Sequence, residues 1–161
     1  TKIGFKYIGE IMVQPTEHVI VGAEESGGIA VIGHVPERDG IWISLLVLEM
    51  MAKTGKTLQQ LIDEVYALVG SFTYDRDDLH ITNEIKQRVL DQCNADAYQQ
   101  FGKFKPTHRE TIDGFKYHFA NGDWMMIRAS GTEPVLRVYA ESNSPAAVRE
   151  LLDDIKATIL A

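Results

Sequence analysis

The 161-residue chain is 45% hydrophobic and 24% charged, the balance of a globular protein with room for one domain or two small ones. Its formal net charge of −7 argues against a nucleic-acid or anionic-membrane surface, either of which needs a basic patch. The single cysteine, Cys93, cannot form an internal disulfide, and no apolar run approaches the ~18 residues of a membrane span, so the chain reads as cytoplasmic.

Residues 4–12 place Phe5, Ile8, Ile11 and Met12 at near-helical spacing, which predicts a short amphipathic helix. A strand at 18–22, a polar loop at 24–28 and a second strand at 30–32 follow. Residues 41–52 are strongly apolar and rich in Leu and Met, which predicts a buried helix with Asp39 as N-cap. Gly55 fits the C′ position of that helix, and Thr57 can cap the next one, over 58–69. That second helix sets Leu58, Leu61, Ile62, Val65, Leu68 and Val69 on one face.

The polar residues 73–78 carry no hydrophobic period, so a domain boundary is expected there, with 71–80 as a linker and hinge. Asp75, Asp77 and Asp78 lack the Gly and terminal Glu of a calcium loop. A helix over 82–92 follows, capped by Thr82 or Asn83, with Cys93 just beyond it as a small buried apolar residue. Strands are predicted at 107–112, 115–119, 124–127 and 136–141. Asp113-Gly114 and Asn121-Gly122 supply two-residue hairpin turns. The last helix, 145–160, has Ser144 at N-cap and Pro145 at N1, and Val148, Leu151, Leu152, Ile155 and Ile159 form its apolar stripe. The fold class is therefore α/β over 1–70, then α+β over 81–161, the latter an antiparallel sheet with helices on one face. His18, His80, His108 and His118 show no metal-ligand spacing.

Two loops carry chemistry. Arg128-Ala-Ser-Gly-Thr-Glu-Pro-Val-Leu-Arg137 lies between two strand-like runs. Gly131 lets backbone amides converge, Ser130 and Thr132 add hydroxyl donors, and Arg128 offers a planar fork that fits phosphate. Arg137 adds a second positive charge if its strand doubles back. A polar hairpin turn explains the same residues, and spacing alone does not choose. Val19-Ile-Val-Gly-Ala-Glu-Glu-Ser-Gly-Gly28 runs from a strand into carboxylates beside a hydroxyl. Glu24 and Ser26 there suit a polyol, since sugar hydroxyls donate to carboxylates and accept from serine. A solvated acidic turn is the plainer reading of this loop taken singly.

Together the two loops resemble the α-D-phosphohexomutase family, whose sugar-binding loop runs Gly-Glu-(Glu or Met)-Ser-Gly and whose phosphate-binding loop runs Arg-x-Ser-(Gly or Asn)-Thr-x-Pro. Thr1-Lys-Ile-Gly-Phe-Lys-Tyr-Ile8 and Gly33-His-Val-Pro-Glu-Arg-Asp-Gly40 are similar to it too. The resemblance implies a third, sugar-binding domain over 1–70 and a fourth, phosphate-binding domain over 81–161. It implies sugar-binding roles for Glu24, Ser26 and Lys6, with Lys6 also the one acid–base candidate, and phosphate-binding roles for Arg128, Ser130, Gly131, Thr132 and Arg137. A structural pair of Arg38 with Asp39 or Glu25 is expected above substrate contact.

The family's phosphoserine loop, Thr-Ala-Ser-His-Asn-Pro-like, and its magnesium loop, Asp-Gly-Asp-x-Asp-Arg-like, have no counterpart here. The chain also lacks an initiator Met, so it is expected to be a C-terminal part of a longer enzyme and inactive alone. The implied partners are a hexose phosphate substrate and the missing N-terminal domains. The implied cofactors are Mg2+, held elsewhere, and a hexose bisphosphate intermediate. At the position where mannose-accepting members carry a histidine, this chain has Gly28. The competing class is a non-catalytic phospho-ligand binding module.

Overall fold

A computed structural model describes residues 1–24, 26–130 and 134–161. The chain divides into two compact units, Thr1–Leu68 and Val69–Ala161.

The first unit begins with helix α1, Phe5–Met12, entered through Gly4 at φ +126°. Strands β1, Val21–Ala23, and β2, Ile29–Val31, pair antiparallel with Gly22 opposite Ala30. Gly22 is there because α1 packs against it: a Cβ would stand 2.2 Å from Ile8 Cγ2. Helix α2, Gly40–Thr54, is capped by Asp39, whose carboxylate accepts from the Trp42 amide at 2.9 Å. His34 Nε2 lies 2.9 Å from the other Asp39 oxygen, and its ring stacks on Trp42 at 4.8 Å. The Trp42 amide, then His34, hold the Asp39 carboxyl below the usual carboxylate range. Gly55 closes α2 in the left-handed conformation at φ +67°. Helix α3, Leu58–Val69, starts with a reciprocal cap: Gln60 N donates to Thr57 Oγ1 and Thr57 N to Gln60 Oε1.

The expectation of a buried helix at 41–52 is corrected here. Helix α2 exists with the predicted caps, but none of its residues is buried, and Ile41 is 81% exposed. The apolar face of α3 is likewise open, with Leu68 86% exposed. Two strands of three residues cannot cover two helices of 15 and 12 residues. A helix apolar over most of its circumference reports that something buries it, not that its own unit does.

The second unit is a five-stranded antiparallel sheet in the order β3-β7-β6-β5-β4. Its strands are β3, Thr73–His80; β4, His108–Glu110; β5, Phe115–His118; β6, Trp124–Ala129; and β7, Val135–Ser142. Helices α4, Asn83–Asn94, and α5, Pro145–Leu160, share one core with it. Thr82 Oγ1 accepts from Ile85 N, and Ser144 Oγ from Ala147 N, as the sequence predicts. Val89 and Cys93 of α4 and all five stripe residues of α5 meet Tyr117, Met125, Ile127, Leu136, Val138 and Ala140 of the sheet. Each such large apolar side chain contributes about 1.5–3 kcal/mol by leaving water. Burial pushes the Cys93 thiol up to about 11, so it packs as an inert apolar group. Among the described residues no helix is long and apolar enough to cross a membrane.

The linker expected at 71–80 is the second correction. Thr73–His80 is a strand, paired along its whole length with β7 from Thr73↔Ser142 to His80↔Val135. Its alternation is carried by charge partners in place of apolar residues, which hides it from a hydrophobic-period reading. Asp77 faces α5, where Arg149 grips it through both η nitrogens and Lys156 Nζ lies at 2.8 Å, while Asp78 faces Arg137 on the other side. As an edge strand, β3 is kept from pairing further by these charges. Between α3 and β3 remain only Gly70, Ser71 and Phe72, so residues 73–80 belong to the sheet of the second unit and not to a linker.

Bonding to Arg149, then Lys156, lowers the Asp77 pKa from 3.8 to about 2. A folded-state pKa below the unfolded one gives stability present above pH ~4 and lost as pH falls towards ~2. After discounting for solvent screening this contributes about 1–2 kcal/mol. Asp77→Asn should lower the denaturant midpoint of the second unit at pH 7 and flatten its decline between pH 4 and 2. An unchanged midpoint would show that the network adds nothing.

Candidate functional site

The second unit's candidate residues converge through the β6–β7 ladder. Arg128 of β6 stands directly opposite Arg137 of β7, and Arg137 opposite Asp78 of β3. Ile127, Leu136 and Val138 enter the helix-side core, so strand alternation turns both arginines to the opposite face. Like charges at facing positions repel. Asp113 Oδ2, 3.2 Å from Arg128 Nε, and Asp78 Oδ2, 3.7 Å from Arg137 Nε, offset that repulsion from either side. Arg76 shares Asp78 at 3.0 Å. The Nε contact uses one of five guanidinium donors on Arg128. Nε of Arg137 is buried and has no hydrogen-bond acceptor among the described residues. The row therefore concentrates positive charge and leaves a buried donor without a partner, the condition an anion satisfies.

Gly114 makes the arrangement sterically feasible. It sits at φ +84°, and a Cβ there would lie 2.6 Å from the Ile127 carbonyl oxygen and 3.2 Å from Arg128 Cβ. The expected hairpin glycine thus also seats the β4–β5 turn, and Asp113 with it, against Arg128. Ser130, 9% exposed, leaves the ladder with its amide bonded to the Val135 carbonyl at 2.9 Å. Its own carbonyl accepts from Lys86 Nζ at 2.7 Å. Gly131 and Thr132 lie outside the described residues.

Lys86, Asp113 and Asp78 are the residues that sequence reasoning missed as parts of this site. Lys86 had a signal: a cation in the first turns of α4 opposes the helix dipole and needs another reason to be there. Asp113 was visible only as a turn residue, and Asp78 only as part of a polar stretch.

In the first unit Glu24 N bonds to the Gly28 carbonyl at 2.9 Å and Gly27 N to the Glu24 carbonyl at 3.0 Å. The Glu24 side chain is 12% exposed, and its Oε2 accepts from Arg38 Nη1 at 3.2 Å. Arg38 also lies over the Phe5 ring at 5.4 Å. Arg38 therefore braces Glu24; Asp39 is taken by His34, and Glu25 lies outside the described residues. Gly28 follows from this brace, because a Cβ would come within 2.5 Å of Arg38 Cδ. Ser26 is exposed beside the turn. Lys6, in the first turn of α1, is exposed with Nζ 4.8 Å over the Tyr7 ring. Glu24, Ser26 and Lys6 belong to the first unit, and Arg128, Ser130 and Arg137 to the second. Among the described residues no His, Cys, Asp and Glu group could hold a metal ion.

Known proteins agree with both halves. Residues 1–69 match the family model for phosphoglucomutase/phosphomannomutase, alpha/beta/alpha domain III, and residues 83–158 the model for the C-terminal domain of the same proteins. This chain belongs to the phosphoglucomutase/phosphomannomutase family. It is 29% identical over 95% of its length to a phosphoglucomutase/phosphomannomutase of Thermococcus kodakarensis, covering 31% of that protein. It is 39% identical over 71% of its length to a phosphoglucosamine mutase of Methanococcus maripaludis, covering 24% of it. A crystal structure from Thermus thermophilus, assigned as a phosphomannomutase, superposes on the whole chain and 31% of its own with a TM-score of 0.75 at 35% identity. The chain thus spans about a third or less of the length of these family members.

The geometry around Gly114 gives a structural test. Gly114→Ala should cost about 2–4 kcal/mol, since a strained φ is added to a backbone collision beside Arg128. Gly122→Ala, at φ +90° with nothing within 4 Å, should cost only about 1 kcal/mol. Urea unfolding of both variants measures the difference; equal costs would mean that β6 is not seated on Gly114.

Proposed function

We propose that this chain supplies the sugar-binding and phosphate-binding parts of a phosphohexomutase that interconverts hexose 1- and 6-phosphates. The observation that carries the proposal is the facing pair Arg128–Arg137 with a buried, acceptorless Nε. In this reading the pair and Ser130 hold the phosphate that is not reacting, and Gly131 and Thr132 complete the loop. Glu24 and Ser26 bind ring hydroxyls. A phosphoserine outside this chain donates to the substrate and regains a phosphate from the other end of a bisphosphate intermediate. One site must then accept the sugar in two orientations. A clamp of charge and backbone, indifferent to which carbon bears the phosphate, meets that need.

In this reading the Mg2+ that the family resemblance implies is held outside this chain. What the chain contributes is positioning and electrostatics, the larger part of catalysis in phosphoryl transfer. Glu24 has one carboxylate oxygen on Arg38; the other can accept from a sugar hydroxyl or from an ammonium. The names of the relatives span glucose, mannose and glucosamine, so the substrate class is taken as neutral or amino hexose phosphates.

In the longer enzyme, Arg128→Ala should lower kcat/KM for glucose 1-phosphate about tenfold or more by removing a charge-assisted contact. Arg128→Lys should recover only part, because an ammonium lacks the fork. Full activity in either variant would make the loop a structural turn. The 161-residue chain alone should stay at background in a coupled assay with magnesium and a bisphosphate activator; turnover above background would place the reacting group within this chain.

A further inference from the structure

Arg128 and Arg137 face each other but are not held alike. Asp113 Oδ2 accepts a hydrogen bond from Arg128 Nε at 3.2 Å, and the two side chains are 25% and 22% exposed. Asp78 Oδ2 stands 3.7 Å from Arg137 Nε, beyond hydrogen-bond range, and its other oxygen lies 3.0 Å from Arg76. One arginine of the pair is fixed by a charged acceptor, and the other only has one nearby.

The carboxylate on Arg128 is delivered from a firmly seated backbone. Phe115 pairs with Ile127 in the β5–β6 ladder, and one step further along Gly114 comes level with Arg128. A Cβ on Gly114 would lie 3.3 Å from Arg128 Cα as well as 2.6 Å from the Ile127 oxygen, so the connection presses on the strand that carries the arginine. Asp113 is the adjoining residue, and its side chain reaches Nε from there.

What that contact does follows from the shape of a guanidinium. Its N–H donors lie in one plane, and a bond at Nε fixes how that plane is turned at the end of a flexible stem. With Nε held, the donors on Nη1 and Nη2 form the edge that can meet a phosphate. An acid beside an anion site is otherwise a disadvantage, because its charge repels the ligand. The offsetting gain is a fork that is already ordered when the anion arrives.

We propose that Asp113 is a positioning residue for phosphate binding: by holding Arg128 at Nε it presets the guanidinium edge that meets the anion, while the less constrained Arg137 adjusts to it. The inference rests on the reading of Arg128 and Arg137 as phosphate ligands. It carries a sign that charge alone reverses. An Asp113 that acted only through its charge would weaken anion binding, and its removal would tighten it; an Asp113 that sets the fork strengthens binding, and its removal weakens it.

The test is a 1H–15N titration of the 161-residue chain with inorganic phosphate at constant ionic strength, followed at the Ser130 amide. Asp113→Ala should raise the Kd about fivefold or more, and Asp113→Asn, isosteric and still an acceptor for Nε, should raise it by a smaller factor. In an Arg128→Lys background, which has no Nε to hold, Asp113→Ala should not weaken binding at all. A role in folding alone would weaken it in both backgrounds. Asp113→Asn keeps the shape of the side chain, so it carries the sign test even if Asp113→Ala disturbs the connection. Tighter binding in either Asp113 variant, or an equal loss in the Arg128→Lys background, would overturn the proposal. A weaker response in Arg128→Ala with none in Asp113→Ala overturns the positioning role alone; an unchanged response in Arg128→Ala overturns the phosphate reading and this inference with it.

Discussion

Two guanidinium groups face each other across the β6–β7 ladder, and the second unit is arranged so that this can be tolerated. Left alone, such a pair would be destabilising. The flanking segments bring a carboxylate to each arginine, Asp113 from the β4–β5 turn and Asp78 from β3. Those carboxylates hold the guanidiniums by Nε contacts, and the Nε of Arg137 is still left without a true acceptor. A polar feature held at an energetic cost in the free protein is what a binding site for an anion requires, because the ligand relieves the strain that the fold maintains.

The rest of the unit serves this row. Helix α5 fills the opposite face of the sheet with five buried aliphatic residues, which keeps the ladder register fixed. A one-residue slip would send Arg128 into the core. Charge on β3 serves both faces at once: Asp77 ties the strand to Arg149 and Lys156, and Asp78 stands beside Arg137. Lys86 ties α4 to the carbonyl of Ser130, so the helix also anchors the start of the loop. The first unit brings a different chemistry with the same economy. Arg38 braces Glu24, Phe5 supports Arg38, and Gly28 leaves room for both.

Much of this was legible in the sequence, for identifiable reasons. Helix caps at Asp39, Thr57, Thr82 and Ser144 and the C-terminal Gly55 are local signals whose partners lie within a few residues, and all appear as predicted; Gly114 and Gly122 take positive φ in hairpin connections, 111–114 and 119–123, that are longer than the two-residue turns expected. The α5 stripe was readable because one face meets one core. The two loops could be named from composition, although their supports could not. Asp113, Asp78 and Lys86 act through partners 15, 59 and 44 residues away, a separation that no local pattern encodes. Strand β3 was lost because its inward positions are filled by Asp75 and Asp77, which a hydrophobic period cannot detect. Helix α2 was read as buried because apolar length was taken for burial within this chain, whereas its own unit leaves it open.

The central question is whether Arg128 and Arg137 hold one phosphate together. A double-mutant cycle on the affinity of a hexose 1-phosphate for the longer enzyme measures this directly. If both arginines share the same anion, Arg128→Ala and Arg137→Ala should each weaken binding, and the double variant should lose less than the sum, with a coupling of about 1–3 kcal/mol. Strictly additive losses, or no loss in one of the single variants, would contradict a shared phosphate and leave the facing arginines as a structural feature of the sheet.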